Sequence, residues 1–292
     1  MSETGRSPRF YIAADPRSGG AGFAAGQEID LPQAEAHHAA HVLRLRAGDA
    51  VELFDGCGGS ARGRLARVAK RDVTVMITEA SSGGPATARR GPIIALAFAV
   101  PKGSRLDWLL EKATELGVAS LEPVLFERSV AGGDELSDAK RARWMGHCIA
   151  AAKQSGSDYL PALCRPRPLA EFARQSSAAV RIYGDLAADA VPPARVLTDG
   201  AAARALTGSA AAGALKAGAA STVKGGAPAG TVTAGAAAGT LAIVVGPEGG
   251  LTDAERQALH AARFIPVRLG HTTLRIETAA LALVAAALAL AD

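Results

Sequence analysis

The sequence has few aromatic residues, few cysteines and no long apolar run. Aromatic residues make up 4% of the 292 residues, and much of the 49% hydrophobic content is alanine. The three cysteines, Cys57, Cys148 and Cys164, have no C-x-x-C spacing, which argues against a disulfide framework or a zinc site. The most apolar stretch, residues 278–291, is shorter than the ~20 residues that a membrane-spanning helix needs. We therefore expect no membrane association and a reducing compartment.

The net charge and the N-terminal residues are also consistent with a reducing intracellular compartment. Residues 1–10 are polar and carry no apolar signal core. The net charge of +4 and pI near 9.1 allow a polyanionic partner without requiring one. The length is enough for one large or two ordinary domains with a sizeable core. These features predict a soluble cytoplasmic protein.

Two domains with different patterns are predicted. Residues 1–80 contain short β-rich runs separated by turns, which is typical of a small β-barrel. Residues 81–92 are rich in Gly, Ser, Pro and Arg and are predicted to be a linker. From residue 93 onward, apolar strands alternate with amphipathic helices. That order predicts an α/β domain with a mostly parallel sheet covered by helices.

An insertion interrupts the second domain. Residues 201–240 include 17 Ala and 8 Gly and show no apolar periodicity. Such a stretch cannot bury enough surface to offset its ordering entropy, so we predict a disordered insertion over about residues 198–240. The strands on either side of it must still pair.

Two glycine-marked loops follow apolar strands near the C-terminal end of the sequence. The first is the Gly-Pro-Glu-Gly-Gly run, residues 246–250, before a helix whose Thr252 and Glu255 have capping-box spacing. The second begins at Leu269-Gly270 and precedes the last helix. Glycine at the end of a strand lets a ligand approach the backbone, and open α/β sheets bind ligands there. The two loops predict one pocket with two walls.

Basic residues concentrate between positions 60 and 72. The cluster consists of Arg62, Arg64, Arg67, Lys70 and Arg71. A solvated strand face and a phosphate-binding patch are both consistent with this pattern.

Three histidines, His37, His38 and His41, lie within the helical stretch 33–45. No carboxylate or cysteine completes a metal site beside them, so a packed helix face is the favoured interpretation and no metal is expected.

Several short motifs, in order along nearly the whole chain, resemble the ribosomal RNA small subunit methyltransferase E family. They are Val42–Asp49, Lys102-Gly103, Glu111–Val118, Glu127–Ser129, Gln154-Ser155, Gly246–Gly250, Leu269-Gly270, Leu274-Arg275 and Glu277–Ala279. Any one of these is a weak signal, but their order makes the resemblance strong.

The resemblance implies a PUA-like barrel followed by a SPOUT methyltransferase domain, whose sheet ends in a trefoil knot. It also implies a homodimer that methylates N3 of a uridine in small-subunit (16S) ribosomal RNA. The cofactor would be S-adenosyl-L-methionine. The last helix, residues 276–290, is apolar nearly all round, so we expect it to be buried, partly in the dimer contact.

The resemblance also suggests roles for residues. Arg275 is the first candidate for stabilising charge on the uracil, with Glu248 and Glu277 as alternative proton acceptors. The cofactor-binding candidates are Tyr183, Gly184, Gly246, Pro247, Glu248, Gly249, Leu269, Gly270, Thr273, Leu274, Arg275 and Thr278. The RNA-binding candidates are Arg9, Arg44, Arg46, Lys102, Arg128, Gln154 and Ser155.

The sequence departs from the family pattern at two positions. Ser157 and Thr272 stand where the family usually has arginine, which removes positive charge near the expected RNA or cofactor site. An RNA-binding protein with a decayed methyltransferase domain is therefore the alternative. A dinucleotide-dependent oxidoreductase is disfavoured because no G-x-G-x-x-G follows an early strand.

Overall fold

The computed structural model describes residues 7–14, 22–69, 72–81, 91–129, 136–207 and 239–291. The chain divides into two compact units. The first comprises Met1–Ala88 and Ala152–Leu160, and the second comprises Arg89–Ala151 and Pro161–Asp292. Most of the predicted linker lies outside the described residues, so the predicted domain ends remain a prediction. The sequence pattern had not associated residues 152–160 with the first unit.

The first unit contains a five-stranded sheet in the order β1-β3-β4-β5-β2. Its strands are β1 (Arg9–Tyr11), β2 (Glu28–Asp30), β3 (Ala50–Phe54), β4 (Ser60–Val68) and β5 (Val73–Ser81). Helix α1 (Gln33–His37) continues as a π-helical turn, His38–Val42. Ala36 and Ala39 of this segment are buried against the strand residues of the core.

Side chains on β4 alternate between core and solvent, as expected of a sheet with one covered face. Ala61 and Leu65 are buried, whereas Arg62, Arg64 and Arg67 are exposed. These three arginines therefore lie on the solvent-exposed face of β4, where a phosphate could also reach them. Lys70 and Arg71 lie outside the described residues.

The second unit is built on a parallel sheet in the order β12-β10-β11-β6-β7-β8, with β9 also paired to β7. All its named strand pairs are parallel. The strands are β6 (Ile93–Ala99), β7 (Ser120–Leu125), β8 (Ala162–Leu163), β9 (Arg167–Pro168), β10 (Val180–Gly184), β11 (Thr240–Val245) and β12 (Ile265–Val267). Strand β11 is buried along its whole length, which explains its continuous apolar sequence.

Helices connect these strands. They are α2 (Ser104–Glu115), α3 (Asp138–Ser155), α4 (Leu169–Gln175), α5 (Pro193–Leu197), α6 (Gly200–Thr207), α7 (Asp253–Ala261) and α8 (Ile276–Ala291). On α2 the buried face carries Leu106, Leu109, Leu110 and Ala113, as the apolar spacing predicts.

The predicted insertion is too long at both ends. Residues 200–207 form α6, and Thr240 is the first residue of β11. A high alanine content favours helix wherever one face can pack, and α6 packs on β10, β11 and α8. The remaining part, 208–238, lies outside the described residues. Strands β10 and β11 pair across it from Val180↔Leu241 to Tyr183↔Val244.

The last helix is buried on one face only. Ala280, Leu283, Val284 and Ala287 are buried, while Ala289 is exposed. The helix packs on α2, α5, β6 and β11. The trefoil knot remains a prediction.

Candidate functional site

Five neighbouring strands of the second unit end at one edge of the sheet. Because β12, β10, β11, β6 and β7 are parallel, the loops after them emerge side by side. In that order the loops contain Leu269–Arg275, Asp185, Gly246–Gly250, Lys102-Gly103 and Glu127-Arg128. We call this row of loops the carboxyl edge. Both predicted glycine loops lie on it.

The loop after β11 is held by side chains from the segments that follow β6 and β7. Arg128 Nη1 donates a hydrogen bond to the Gly249 carbonyl at 2.9 Å. Arg105 Nη1, on the first turn of α2, lies 3.0 Å from Glu248 Oε1. Gly250 closes the turn by donating its N–H to the Pro247 carbonyl at 2.9 Å. The backbone of residues 246–250 is therefore anchored to the loops after β6 and β7.

Glu255 joins a helix cap to the same anchor. Thr252 caps α7, and Glu255 completes the predicted capping box. Glu255 Oε2 accepts from the Thr252 N–H at 2.8 Å, and Oε1 accepts from the Glu127 N–H at 2.9 Å. One buried carboxylate thus fixes both the start of α7 and the loop after β7.

An ion pair links the loops after β10 and β11. Arg256 Nε donates to Asp185 Oδ2 at 2.8 Å, and Arg256 Nη1 donates to the Leu251 carbonyl at 2.9 Å. The hydrogen bond to Asp185 raises the pKa of Arg256 further above its ordinary value. No motif predicted this pair, whose only signal in the sequence is an acidic residue directly after Gly184.

The two predicted glycines differ in what surrounds them. A Cβ at Gly246 would lie 2.8 Å from Leu251 Cδ2, so a larger residue there would force the Leu251 side chain to shift. A Cβ at Gly270 would meet nothing within 4 Å. The open space that a ligand needs is therefore at Gly270.

The loop after β12 presents unpaired backbone groups. Within the described part of the chain, none of the seven N–H groups of residues 269–275 donates a hydrogen bond to protein. Leu269, Gly270, Thr273 and Arg275 are exposed, and Leu274 is half-buried. Among the described residues, Arg275 has no ion pair or side-chain hydrogen bond, although its carbonyl accepts from the Ala279 N–H. The loop therefore offers unpaired backbone N–H groups next to the unpaired Arg275 guanidinium, as judged within the described residues.

Glu277 follows on the first turn of α8. It is 6% exposed, and its Oε2 is buried without a hydrogen-bond partner among the described residues. A buried carboxylate oxygen with no partner is costly, so it points to a donor from outside the described residues. Thr278 beside it is exposed.

With this geometry in place, the comparisons with known proteins identify the family. The family model described as "RNA methyltransferase domain" matches residues 89–209 and 211–288, and the model described as "RNA methyltransferase PUA domain" matches residues 31–78. The chain belongs to the RNA methyltransferase family. The first unit is PUA-like, and the second is the methyltransferase domain.

Named relatives agree with this assignment. The ribosomal RNA small subunit methyltransferase E of Bacillus subtilis is 28% identical over 85% of this chain and 84% of its own length. The Mycobacterium bovis protein of the same name is 29% identical over 93% of this chain and 87% of its own length. The crystal structure of the Neisseria gonorrhoeae protein, bound to S-adenosyl methionine, is 28% identical, with a TM-score of 0.71 and 98% of each chain covered. The resemblance inferred from the sequence is confirmed.

Tyr183, a predicted cofactor contact at the end of β10, directs its side chain toward α7. The ring is buried, and its hydroxyl lies 3.1 Å from His260 Nε2 on α7. Burial is the main reason that the pKa of Tyr183 rises to about 12. Only its backbone and that of Gly184 remain at the end of β10.

Arg9, a predicted RNA contact, is buried within the first unit. It is 6% exposed and forms an ion pair with Asp158. Its Nη1 also donates to the carbonyls of Ala152 and Ser157, each at 3.2 Å. The charge is used to hold residues 152–158 in the first unit, because a buried guanidinium needs partners.

The other RNA candidates fall into two groups. Arg44 and Arg46 are exposed after the π-helical turn of the first unit, and Arg44 adopts a φ of 54°. Lys102 and Arg128 are exposed on neighbouring loops of the carboxyl edge. In the first unit, Gln154 is exposed and Ser155 is half-buried.

The histidine cluster of the first unit is partly packed. The rings of His37 and His41 lie 4.8 Å apart, and Lys153 Nζ is 3.4 Å from His38 Nδ1. Burial, and then the positive charge of Lys153, lower the pKa of His38. Among the described residues, no group of three or more His, Cys, Asp or Glu is arranged to hold a metal ion.

Across the described ranges, no helix combines the length and apolarity needed to cross a membrane.

Proposed function

We propose that this protein transfers a methyl group from S-adenosylmethionine to N3 of a uridine in small-subunit (16S) ribosomal RNA. The observation that carries the proposal is the loop after β12. Its free backbone donors lie at the end of a parallel strand, between an open glycine and an exposed arginine. The names of the relatives support the ribosomal substrate, and the Neisseria structure supports the cofactor.

The residues at the carboxyl edge fit this cofactor. An adenine edge needs backbone donors and acceptors at close range, and the segment from Gly270 to Leu274 offers them without protein partners. Open space at Gly270 permits close approach, and exposed Leu269 offers an apolar surface for a ring. The backbone of Gly246–Gly249 forms the second wall, held by Arg128 and Arg105.

Bound S-adenosylmethionine supplies an electrophilic methyl group. The chain must align the uracil with it and handle the N3 proton, because N3–H is a poor nucleophile until that proton leaves. We assign Arg275 to stabilise negative charge on the uracil oxygens, since its guanidinium is exposed and unpaired among the described residues.

The two candidate proton acceptors are unequal. Glu248 is engaged by Arg105 at 3.0 Å, so we assign it to positioning the loop after β11. Glu277 retains a carboxylate oxygen with no hydrogen bond among the described residues. We therefore favour Glu277 as the acceptor of a proton or hydrogen bond from the bound reactants. Thr278, exposed on the same turn, is assigned to the cofactor.

The RNA contacts are assigned to exposed basic residues. Lys102 and Arg128 flank the carboxyl edge, and Arg44 and Arg46 belong to the PUA-like unit. Such charges provide the sequence-independent part of RNA affinity. Gln154 and Ser155 remain predicted contacts. A protein with this substrate works where ribosomes assemble, which we propose is the cytoplasm.

A homodimer is part of the proposal. Exposed Ala285, Ala289 and Leu290 leave an apolar strip on α8, which a second copy would cover. Sedimentation of the purified chain at twice the monomer mass is the expected result, and sedimentation as a monomer at micromolar concentration would contradict it.

Replacement of Arg275 by glutamine tests the role of this residue in methyl transfer, and the wild-type reaction tests whether the domain is active. We expect Arg275→Gln to lower the methyl-transfer rate by about 100-fold or more, while the protein still folds and binds cofactor measurably. The matched control is Arg174→Gln, an exposed arginine on α4. Wild-type transfer rates in Arg275→Gln would remove Arg275 from the mechanism. Cofactor binding without any transfer by the wild type would favour the decayed alternative.

A further inference from the structure

The first unit contains a polar cavity that the proposed reaction does not use. Its volume is about 350 Å³, within the usual size of small-ligand sites. Charged side chains of both signs line it: Arg9, Glu52, Arg62, Glu79 and Asp158. All of these residues belong to the first unit.

Arg9 and Asp158 form a close ion pair, but the other charge pairs around this cavity are loose. Glu52 Oε2 lies 3.5 Å from Arg9 Nε, and Glu52 Oε1 lies 3.7 Å from Arg62 Nε. Arg62 Nη1 is likewise 3.7 Å from Glu79 Oε2. These distances are too long for good hydrogen bonds. Among the described residues, Arg9 Nε is buried with no hydrogen-bond partner.

One wall of the cavity is rigid. The terminal nitrogens of Arg9 are bonded to Asp158 and to the carbonyls of Ala152 and Ser157, and its guanidinium lies 4.7 Å from the centre of the Phe54 ring. Glu52 is on β3 and is largely shielded, with a side chain 23% exposed. The other wall is free to adjust, because the Arg62 and Glu79 side chains are 72% and 73% exposed.

The arrangement of charges decides what fits. A metal ion is disfavoured because Arg9 and Arg62 lie between the carboxylates, and a phosphate is disfavoured because Glu52 and Glu79 face it. A neutral, planar group with donors and acceptors on one edge satisfies both signs at once. Guanine has this pattern, since its N1–H and N2–H₂ can donate together to one carboxylate while its O6 accepts.

We propose that this cavity binds an unpaired guanine of the RNA substrate. The Glu52 carboxylate accepts from the N1–H and N2–H₂ groups, an arginine of the cavity donates to O6, and the planar Arg62 guanidinium stacks on the base. Single-stranded RNA bases are commonly read in this way, by hydrogen bonds on the base edge and by stacking on arginine. The inference rests on the RNA substrate of the proposed function, but its test does not need methyl transfer.

The test measures binding of the four nucleoside 5′-monophosphates to the full chain by NMR titration. The phosphate is common to all four, so differences report the base. We expect GMP to bind at least about tenfold more tightly than AMP, CMP or UMP, the size of a good bidentate base contact. Glu52→Gln should remove that preference. The matched control Glu28→Gln, on exposed β2, should keep it.

A second variant keeps the test valid if Glu52→Gln fails to fold. Arg62→Met changes an exposed side chain and should weaken GMP binding while thermal unfolding remains that of the wild type. Equal binding of all four nucleotides, or an unchanged GMP preference in Glu52→Gln, would overturn the proposal. Selective GMP binding by a protein that fails to transfer methyl groups would leave this site standing and remove only the proposed function.

Discussion

Two glycine-to-alanine substitutions, at Gly246 and Gly270, test whether each glycine is needed for packing or for ligand binding. The Cβ of Gly246→Ala would be 2.8 Å from Cδ2 of the buried Leu251 side chain, so that side chain must shift within the core. Overpacking of this kind costs about 1–3 kcal/mol, so we expect that loss in the free energy of unfolding. The Cβ of Gly270→Ala meets nothing within 4 Å, so its effect on stability should stay within about 0.5 kcal/mol.

Cofactor affinity should respond differently. In Gly270→Ala the new methyl group enters the space that we assign to the cofactor, and a loss of about tenfold in affinity, or about 1.4 kcal/mol, is expected. Urea denaturation without ligand gives the stability, and calorimetric titration with S-adenosylmethionine gives the affinity. If Gly270→Ala binds the cofactor as tightly as the wild type, the loop after β12 is not its binding surface.

Two further predictions concern the ion pair of the carboxyl edge and the thiols. Asp185→Ala should lower the free energy of unfolding by about 1.5–3 kcal/mol, because Arg256 loses its carboxylate, and a change below about 0.5 kcal/mol in urea denaturation would contradict this. Burial raises the pKa of Cys148 to about 11 and of Cys164 to about 12, so both are almost entirely protonated at pH 8, and their thiolate fractions increase only as the pH rises toward those values. Iodoacetamide at pH 8 should therefore label Cys57 first in the native protein, and equal labelling of all three in peptide mass spectra would be the contrary result.

Much of the second unit was predictable because its signals are local. Continuous apolar runs predicted the buried strands β6 and β11. The spacing of Thr252 and Glu255 predicted the cap of α7, and strand-then-glycine patterns placed two loops at the carboxyl edge. In each case residues close in sequence determine the structure, so the pattern alone is sufficient.

The sequence could not reveal contacts between residues that are far apart along the chain. The burial of Arg9 depends on Asp158, which is 149 positions away, so an N-terminal arginine resembled a surface charge. The Tyr183 hydroxyl lies within hydrogen-bond distance of His260 on α7, and this contact forms only when α7 packs against the sheet. The helix at residues 200–207 shares its composition with the rest of the predicted insertion, and packing rather than composition distinguishes it.

Sequence also could not reveal what holds the candidate site. The anchors of residues 246–251 come from Arg105, Arg128 and Arg256, which lie on three different segments of the chain. The unsatisfied oxygen of Glu277 is likewise visible only when burial and hydrogen bonds are known.

Methyl transfer from labelled S-adenosylmethionine to small ribosomal subunits that lack their native modifications tests the central claim most directly. The product nucleoside is identified chromatographically after complete digestion of the RNA. The proposed function predicts 3-methyluridine in the wild-type reaction and its loss in Arg275→Gln. A folded wild-type protein that neither transfers a methyl group nor binds S-adenosylmethionine would contradict the proposed function.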